Sequence, residues 1–199
     1  LLTIKAVQLN PQNPYTWASG LLSPIYCDNR IALSYPAVRS FIKNCLAETA
    51  ETFGAFDAVA GVATAGIAHG ALLADKLEMP FVYVRGSAKD HGRRNLIEGE
   101  VRPGQRVLVV EDLISTGGSC LAAVAALRDA GCTVAGVLAI FQYEFAKART
   151  AFESQQVSFK TLTGYSALVE AAANAGYIDK TDQKILEQWR ENPEGWGAL

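Results

Sequence analysis

The chain has 199 residues, of which half are hydrophobic and 19% are charged, with a formal net charge of −2 at pH 7. That composition suits one folded domain with a full core, with or without a small appendage, and excludes a disordered chain. A net negative charge argues against a nucleic-acid binder but not against a small anionic substrate, because local charge decides that.

Residues 10–36 carry Pro11, Pro14, Pro24, Pro36 and Gly20, a segment too broken for long helices. Pro36 can open a helix that runs to about Phe53, with Ser34 as its N-cap. Residues 57–63 read as a short buried strand and 66–78 as a helix with apolar spacing at Ile67, Leu72, Leu73 and Leu77. Strands follow at 81–85 and 107–111, then a helix at 118–130, a near-continuous apolar strand at 134–141 and a weaker strand at 157–162. Two amphipathic helices are expected at 166–175 and 181–191. Thr181 and Asp179 both qualify as N-cap of the second. Strands without clean alternation, separated by amphipathic helices, imply an α/β fold with a mostly parallel sheet covered on both faces. Such sheets bind ligands at the carboxyl ends of their strands. No repeats or low-complexity linkers are visible.

No apolar run approaches the ~20 residues that span a bilayer, and no membrane association is expected. Cys27, Cys45, Cys120 and Cys132 show neither C-x-x-C spacing nor a disulfide-dense pattern. Reduced structural cysteines and a cytoplasmic location are the expectation. No secretory leader is visible, and Leu1 stands where a methionine would, so we expect the true N-terminus to precede the chain.

The run from Val107 to Ser119 carries the most chemistry. A β-branched apolar strand ends in Glu111 and Asp112. After Leu113 and Ile114 comes Ser115-Thr116-Gly117-Gly118-Ser119, and then an Ala/Leu-rich helix. The loop can turn backbone N–H groups and three hydroxyls toward one phosphate, helped by the helix dipole. The two carboxylates are acceptors suited to vicinal hydroxyls. A ligand that is phosphate at one end and diol in the middle is a ribose 5-phosphate. A Walker A loop would need a Gly-Lys-Ser/Thr end, which is absent, and a dinucleotide fingerprint would put its glycines before its acid. The run resembles the phosphoribosyl-pyrophosphate (PRPP) signature of type I phosphoribosyltransferases, with Glu111 in place of the usual Asp and Ser115 as the first hydroxyl.

Three further segments bear on function. Residues 60–66, Ala-Gly-Val-Ala-Thr-Ala-Gly, allow close backbone approach to a ligand, and a tight helix start explains them equally well. In the family the matching loop, here Thr64 and Ala65, binds pyrophosphate, often through a cis peptide. Residues 85–94 hold Arg85, Lys89, Arg93 and Arg94 against Asp90, a local charge of +3. A solvated surface loop would account for the charge alone. The cluster, however, follows a strand end, is bracketed by glycines and includes His91, the mixture that neutralises and protonates a pyrophosphate leaving group. The pattern Arg-x-x-x-Lys-x-His-Gly, followed by Ile-Glu-Gly, resembles the catalytic loop of orotate phosphoribosyltransferases, although Gly86 departs from a second basic residue common there. Residues 19–28, Ser-Gly-Leu-Leu-Ser-Pro-Ile-Tyr-Cys-Asp, closely resemble that family's Ser-Gly-x-x-Ser-Pro-x-Tyr-x-Asp signature. Ala18 replaces a Lys found in some members, and Gln142 and Tyr143 stand where some carry an Arg.

The resemblance implies a type I phosphoribosyltransferase fold: α/β, with a central mostly parallel sheet flanked by helices and a small N-terminal hood. It implies a single domain over 1–199, with the hood at about 1–33 and open to a C-terminal contribution, the core at about 34–162 and C-terminal helices at 163–199. The implied activity is transfer of the 5-phosphoribosyl group from PRPP to orotate, giving orotidine 5′-monophosphate and pyrophosphate in pyrimidine biosynthesis. Lys89, His91 and Asp112 would be catalytic. PRPP would be bound by Arg85, Lys89, His91, Glu111, Asp112, Leu113, Ile114, Ser115, Thr116, Gly117, Gly118, Ser119, Thr64 and Ala65. Orotate would be bound by Ser115, Ser23, Ile25 and Tyr26. Mg²⁺ is the implied cofactor, held mainly by PRPP or pyrophosphate, with Glu111 and Asp112 as the carboxylates at hand. The resemblance also implies a homodimer in which the 85–99 loop acts across the interface. Two alternatives stay open: a phosphoribosyltransferase for a purine or uracil, and a regulator that kept the fold without catalysis. The Lys89–His91 loop and the 23–26 segment speak against the first, and retention of both acids and Lys89 speaks against the second.

Overall fold

The computed structural model describes residues 1–17, 20–86 and 96–196. Its centre is a six-stranded sheet in the order β10-β9-β8-β5-β6-β7. The strands are β5 (Ala58–Val62), β6 (Phe81–Val84), β7 (Ile97–Glu98), β8 (Arg106–Ile114), β9 (Thr133–Gln142) and β10 (Phe159–Gly164). All neighbours pair in parallel except the edge pair β6 and β7. The unbroken apolar runs follow from this, because a central parallel strand is covered on both faces. Val107, Leu108, Val109 and Val110 of β8 are all fully buried.

Helices α1 (Pro36–Ala50) and α2 (Ala65–Leu77) cover one face, burying Ile42, Leu46 and Leu73. Helices α3 (Gly118–Asp129) and α4 (Ala146–Ser154) cover the other, burying Val124, Leu127 and Phe152. Several expected bounds move. The α1 N-cap is Tyr35 rather than Ser34, which closes a 3₁₀ turn over Asn29–Ser34; Pro36 alone starts the helix, with no side-chain cap. The helix ends at Ala50 and a second 3₁₀ turn completes the segment to Phe53. Strand β8 runs through both acids to Ile114 instead of stopping at Glu111.

Two small antiparallel pairs sit over the sheet's carboxyl ends. These are β1 (Val7–Leu9) with β4 (Ile25–Cys27), and β2 (Tyr15–Thr16) with β3 (Leu22–Ser23). They pack with α5 (Tyr165–Asn174) and α6 (Lys180–Glu191) around Tyr143, Phe145, Tyr165, Leu186 and Trp189. Trp189 donates its indole N–H to the Leu22 carbonyl at 3.0 Å, so the C-terminal helix is part of the hood. Asp179 is the α6 N-cap, accepting from the Thr181 and Asp182 amides while Asp182 answers to the Asp179 amide.

Candidate active site

Strand β8 delivers Glu111 and Asp112 to the sheet's carboxyl edge, and α3 opens with Gly118 and Ser119 immediately beyond. Gly117 makes the turn between them at φ +85°, and a Cβ there would stand 2.7 Å from the Phe152 ring. Only glycine suits that position. The loop therefore turns straight into the N-terminus of α3, where the first helical amides lack intrahelical partners, an arrangement that favours anions.

The acids are not equivalent. Glu111 is only 5% exposed. Its carboxylate accepts from the Ser119 hydroxyl and from the Asp112 amide, each at 3.0 Å, with the Cys120 thiol 3.9 Å away. Burial, and then the neighbouring Asp112 charge, push its pKa up to about 8. Asp112 is also raised, chiefly by burial. Of the loop's three hydroxyls, that of Ser119 is already bonded to Glu111.

The segment from Ala63 to Gly66 lies alongside. The Ala63–Thr64 peptide is cis, and α2 begins at Ala65. A Cβ on Gly66 would meet the Val110 carbonyl at 2.5 Å, so this glycine lets α2 start against β8. Thr64 and Ala65 thereby come beside the acids. The Ala63 amide donates to Val84 at 2.8 Å, joining the segment to β6, from which the basic loop departs.

The stem of that loop is a short ladder. Val84 pairs with Ile97 and Tyr83 with Glu98, and the Arg85 amide donates to the Leu96 carbonyl at 2.8 Å. The Arg85 guanidinium stands 3.6 Å from Glu98. Lys89, His91 and Ala18 lie outside the described residues.

The hood contributes residues of two kinds. Ser23 and Ile25 are fully buried; the Ser23 hydroxyl donates to the Ile25 carbonyl at 2.8 Å and accepts from its amide at 3.2 Å. The Trp17 indole also donates to that carbonyl. Tyr26 is 40% exposed, its ring 5.7 Å from that of Tyr15. A cavity of about 720 Å³ opens between hood and phosphate loop, lined by Trp17, Leu21, Ser115, Thr116, Phe145 and Arg190.

Sequence reasoning missed Asn29 and His69. Asn29 is fully buried and donates from Nδ2 to the Asp112 carbonyl at 2.9 Å. His69, on α2, interacts with the Asn29 backbone and has its pKa lowered by burial. The Asn29 contact joins residues 83 positions apart, which no local pattern announces.

A phosphoribosyl transferase domain model matches residues 30–163. The orotate phosphoribosyltransferase of Phocaeicola vulgatus is 54% identical over 199 residues, covering 100% of this chain and 94% of its own. The chain belongs to the orotate phosphoribosyltransferase family. Among solved structures, the orotate phosphoribosyltransferase of Aeropyrum pernix superposes with a TM-score of 0.78 at 29% identity, over 90% of this chain and 97% of that one. UMP synthase of Leishmania donovani matches 96% of this chain with a TM-score of 0.82 at 25% identity, and the match spans 40% of that longer protein. The general domain match starts at Arg30 and stops at Thr163, leaving out β1–β4, α5 and α6. The Phocaeicola orotate phosphoribosyltransferase matches those elements too. The hood is thus what this chain shares with an orotate enzyme beyond the general domain.

Proposed function

We propose that the chain transfers the 5-phosphoribosyl group of PRPP to orotate, as the orotate phosphoribosyltransferases it resembles do, forming orotidine 5′-monophosphate and pyrophosphate. The observation that carries this reading is one strand end that presents two acids and a hydroxyl–glycine loop at a helix N-terminus, under a hood shared with those relatives. The bond from C1′ to the pyrophosphate oxygen breaks as the bond from orotate N1 to C1′ forms, and the N1 proton leaves. We assign no protein general base.

In this reading Ser115, Thr116, Gly117, Gly118 and Ser119 grip the 5′-phosphate, and the backbone at Leu113 and Ile114 shapes the approach to it. Binding energy at that remote end orients C1′. Glu111 and Asp112 hold the ribose hydroxyls, Glu111 from a buried position where it also holds Ser119. Thr64 and Ala65 receive the pyrophosphate, and Arg85, Lys89 and His91 neutralise it as it leaves. Ser115, Ser23, Ile25 and Tyr26 form the base subsite. Because the Ser23 hydroxyl and the Ile25 backbone bond each other, these two residues shape the subsite and Tyr26 supplies its exposed surface.

Among the described residues no group of three or more His, Cys, Asp or Glu could hold a metal ion. An acid pair beside a phosphate loop still suits Mg²⁺, which favours oxygen ligands and completes its shell with water and substrate phosphates. Asp112 is the carboxylate that would hold it, with Glu111 behind. When bound, the ion neutralises pyrophosphate charge.

We further propose a homodimer with the 85–99 loop acting on the partner's site, one domain per chain with a hood at about 1–33 completed by α6, and a cytoplasmic location. No described helix is long and apolar enough to cross a membrane. The direct test is product identity. Orotidine 5′-monophosphate and pyrophosphate should appear one for one from orotate and PRPP; pyrophosphate without the nucleotide would contradict the reading.

A further inference from the structure

The acid tip of β8 extends beyond part of its sheet. Strand β5 pairs with β8 only as far as Val110, whereas β9 accompanies β8 to Ile114. Asp112 thus lies past the last residue that β5 supports. Into that position reaches Asn29, from the 3₁₀ turn that follows the hood strand β4. Its Nδ2 donates to the Asp112 carbonyl at 2.9 Å, a side-chain bond to the β8 backbone just where β5 has ended. Asn29 is itself backed by His69 of α2, the helix whose first residues carry the pyrophosphate segment.

Asn29 is an expensive residue for this place. It is fully buried, and its Oδ1 has no hydrogen-bond partner among the described residues; neither has Nε2 of the buried His69. Buried polar atoms are nearly always paired, and an unpaired one calls for a reason. An apolar side chain of the same size would fill the space without burying an unpaired Oδ1. What it would lose is the bond to Asp112 and a weaker interaction with the Cys27 thiol.

We propose that Asn29 is a positioning residue for PRPP: it fixes the Asp112 peptide, and through it the direction of the Asp112 carboxylate, from the hood side. The three subsites then share one anchor. The turn carrying Asn29 continues from the base-binding strand, His69 belongs to the pyrophosphate helix, and Asp112 faces the ribose. This inference rests on the PRPP–orotate reading, and its test is arranged so that the two can fail separately.

The experiment compares the wild-type protein with Asn29→Leu, which keeps size and removes the donor, and Asn29→Asp, which keeps shape and puts an acceptor where the donor was. A His69→Leu variant removes only the backing and covers the case in which an Asn29 variant does not fold. PRPP affinity is measured by calorimetry without orotate, and KM for each substrate and kcat are measured in turnover. In the folded Asn29 variants PRPP affinity should fall by about tenfold while KM for orotate changes less than about twofold. His69→Leu should shift PRPP affinity in the same direction by less. A filler role alone would leave PRPP affinity unchanged or weaken both substrates together, and either result overturns the inference. Absence of PRPP binding or turnover in the wild-type protein would instead overturn the functional reading.

Discussion

Ser119 donates its hydroxyl to the Glu111 carboxylate at 3.0 Å, tying the first residues of α3 to the acid pair on β8. The two ends of a ribose 5-phosphate would thus meet groups that already touch. Loss of that hydroxyl removes a phosphate donor and also frees the acid, and the same bond holds the Glu111 pKa down against burial. Ser119→Ala should weaken PRPP binding about tenfold and lower stability by about 1 kcal/mol. Calorimetry with PRPP and urea unfolding check the two effects, and unchanged PRPP affinity would count against a shared role.

Glu111 gives a pH dependence of known sign. Its folded-state pKa is about 8 against an ordinary 4.5. Between those values the folded chain keeps a proton that the unfolded chain has released, so this group's contribution to stability is full below about 4.5 and is lost as pH rises through about 8. Glu111→Gln cannot titrate. Urea midpoints of the two proteins compared from acid to mildly alkaline pH should diverge, the variant gaining on the wild type as pH rises. Parallel curves would show that Glu111 is not held protonated.

Trp189 anchors the hood. It is fully buried, bonds Leu22, and sits 5.4–5.7 Å from the rings of Trp17, Tyr143, Phe145 and Tyr165. Trp189→Ala should cost about 3–5 kcal/mol, as for other buried aromatics. Phe41→Ala, at a side chain 68% exposed, should change stability by less than about 0.5 kcal/mol. Thermal unfolding of the pair separates hood packing from surface exposure.

Most of the sheet is legible in the sequence because strands buried on both faces read as apolar runs. The strand at 107–111 is read short because Glu111 and Asp112 interrupt such a run, although β8 goes on to pair Leu113 with Phe141 and Ile114 with Gln142. Helix α4 leaves little signal: it buries only Ala148 and Phe152 and has no side-chain cap. The two-residue strand β7 is too short for any period to show. Within the site, the acids and the phosphate loop are legible because they are contiguous. Asn29 and His69 are not, since their relation to Asp112 exists only once the turn, α2 and β8 are folded together.

Sharing of sites between protomers has a clear complementation test. Lys89→Ala alone should lower kcat by at least ~10²-fold, and Asp112→Asn should impair PRPP use. If the loop acts in trans, a mixed dimer of the two has one doubly damaged site and one intact site, and activity returns in part. Proven subunit exchange without recovery would place the loop in cis.

The central claim is tested most directly by offering the purified protein PRPP and Mg²⁺ with orotate, uracil, adenine or xanthine in turn. Pyrophosphate release should occur with orotate and be negligible with the other three bases. Turnover of uracil or a purine in preference to orotate, or no turnover of any base by folded protein, would contradict the account.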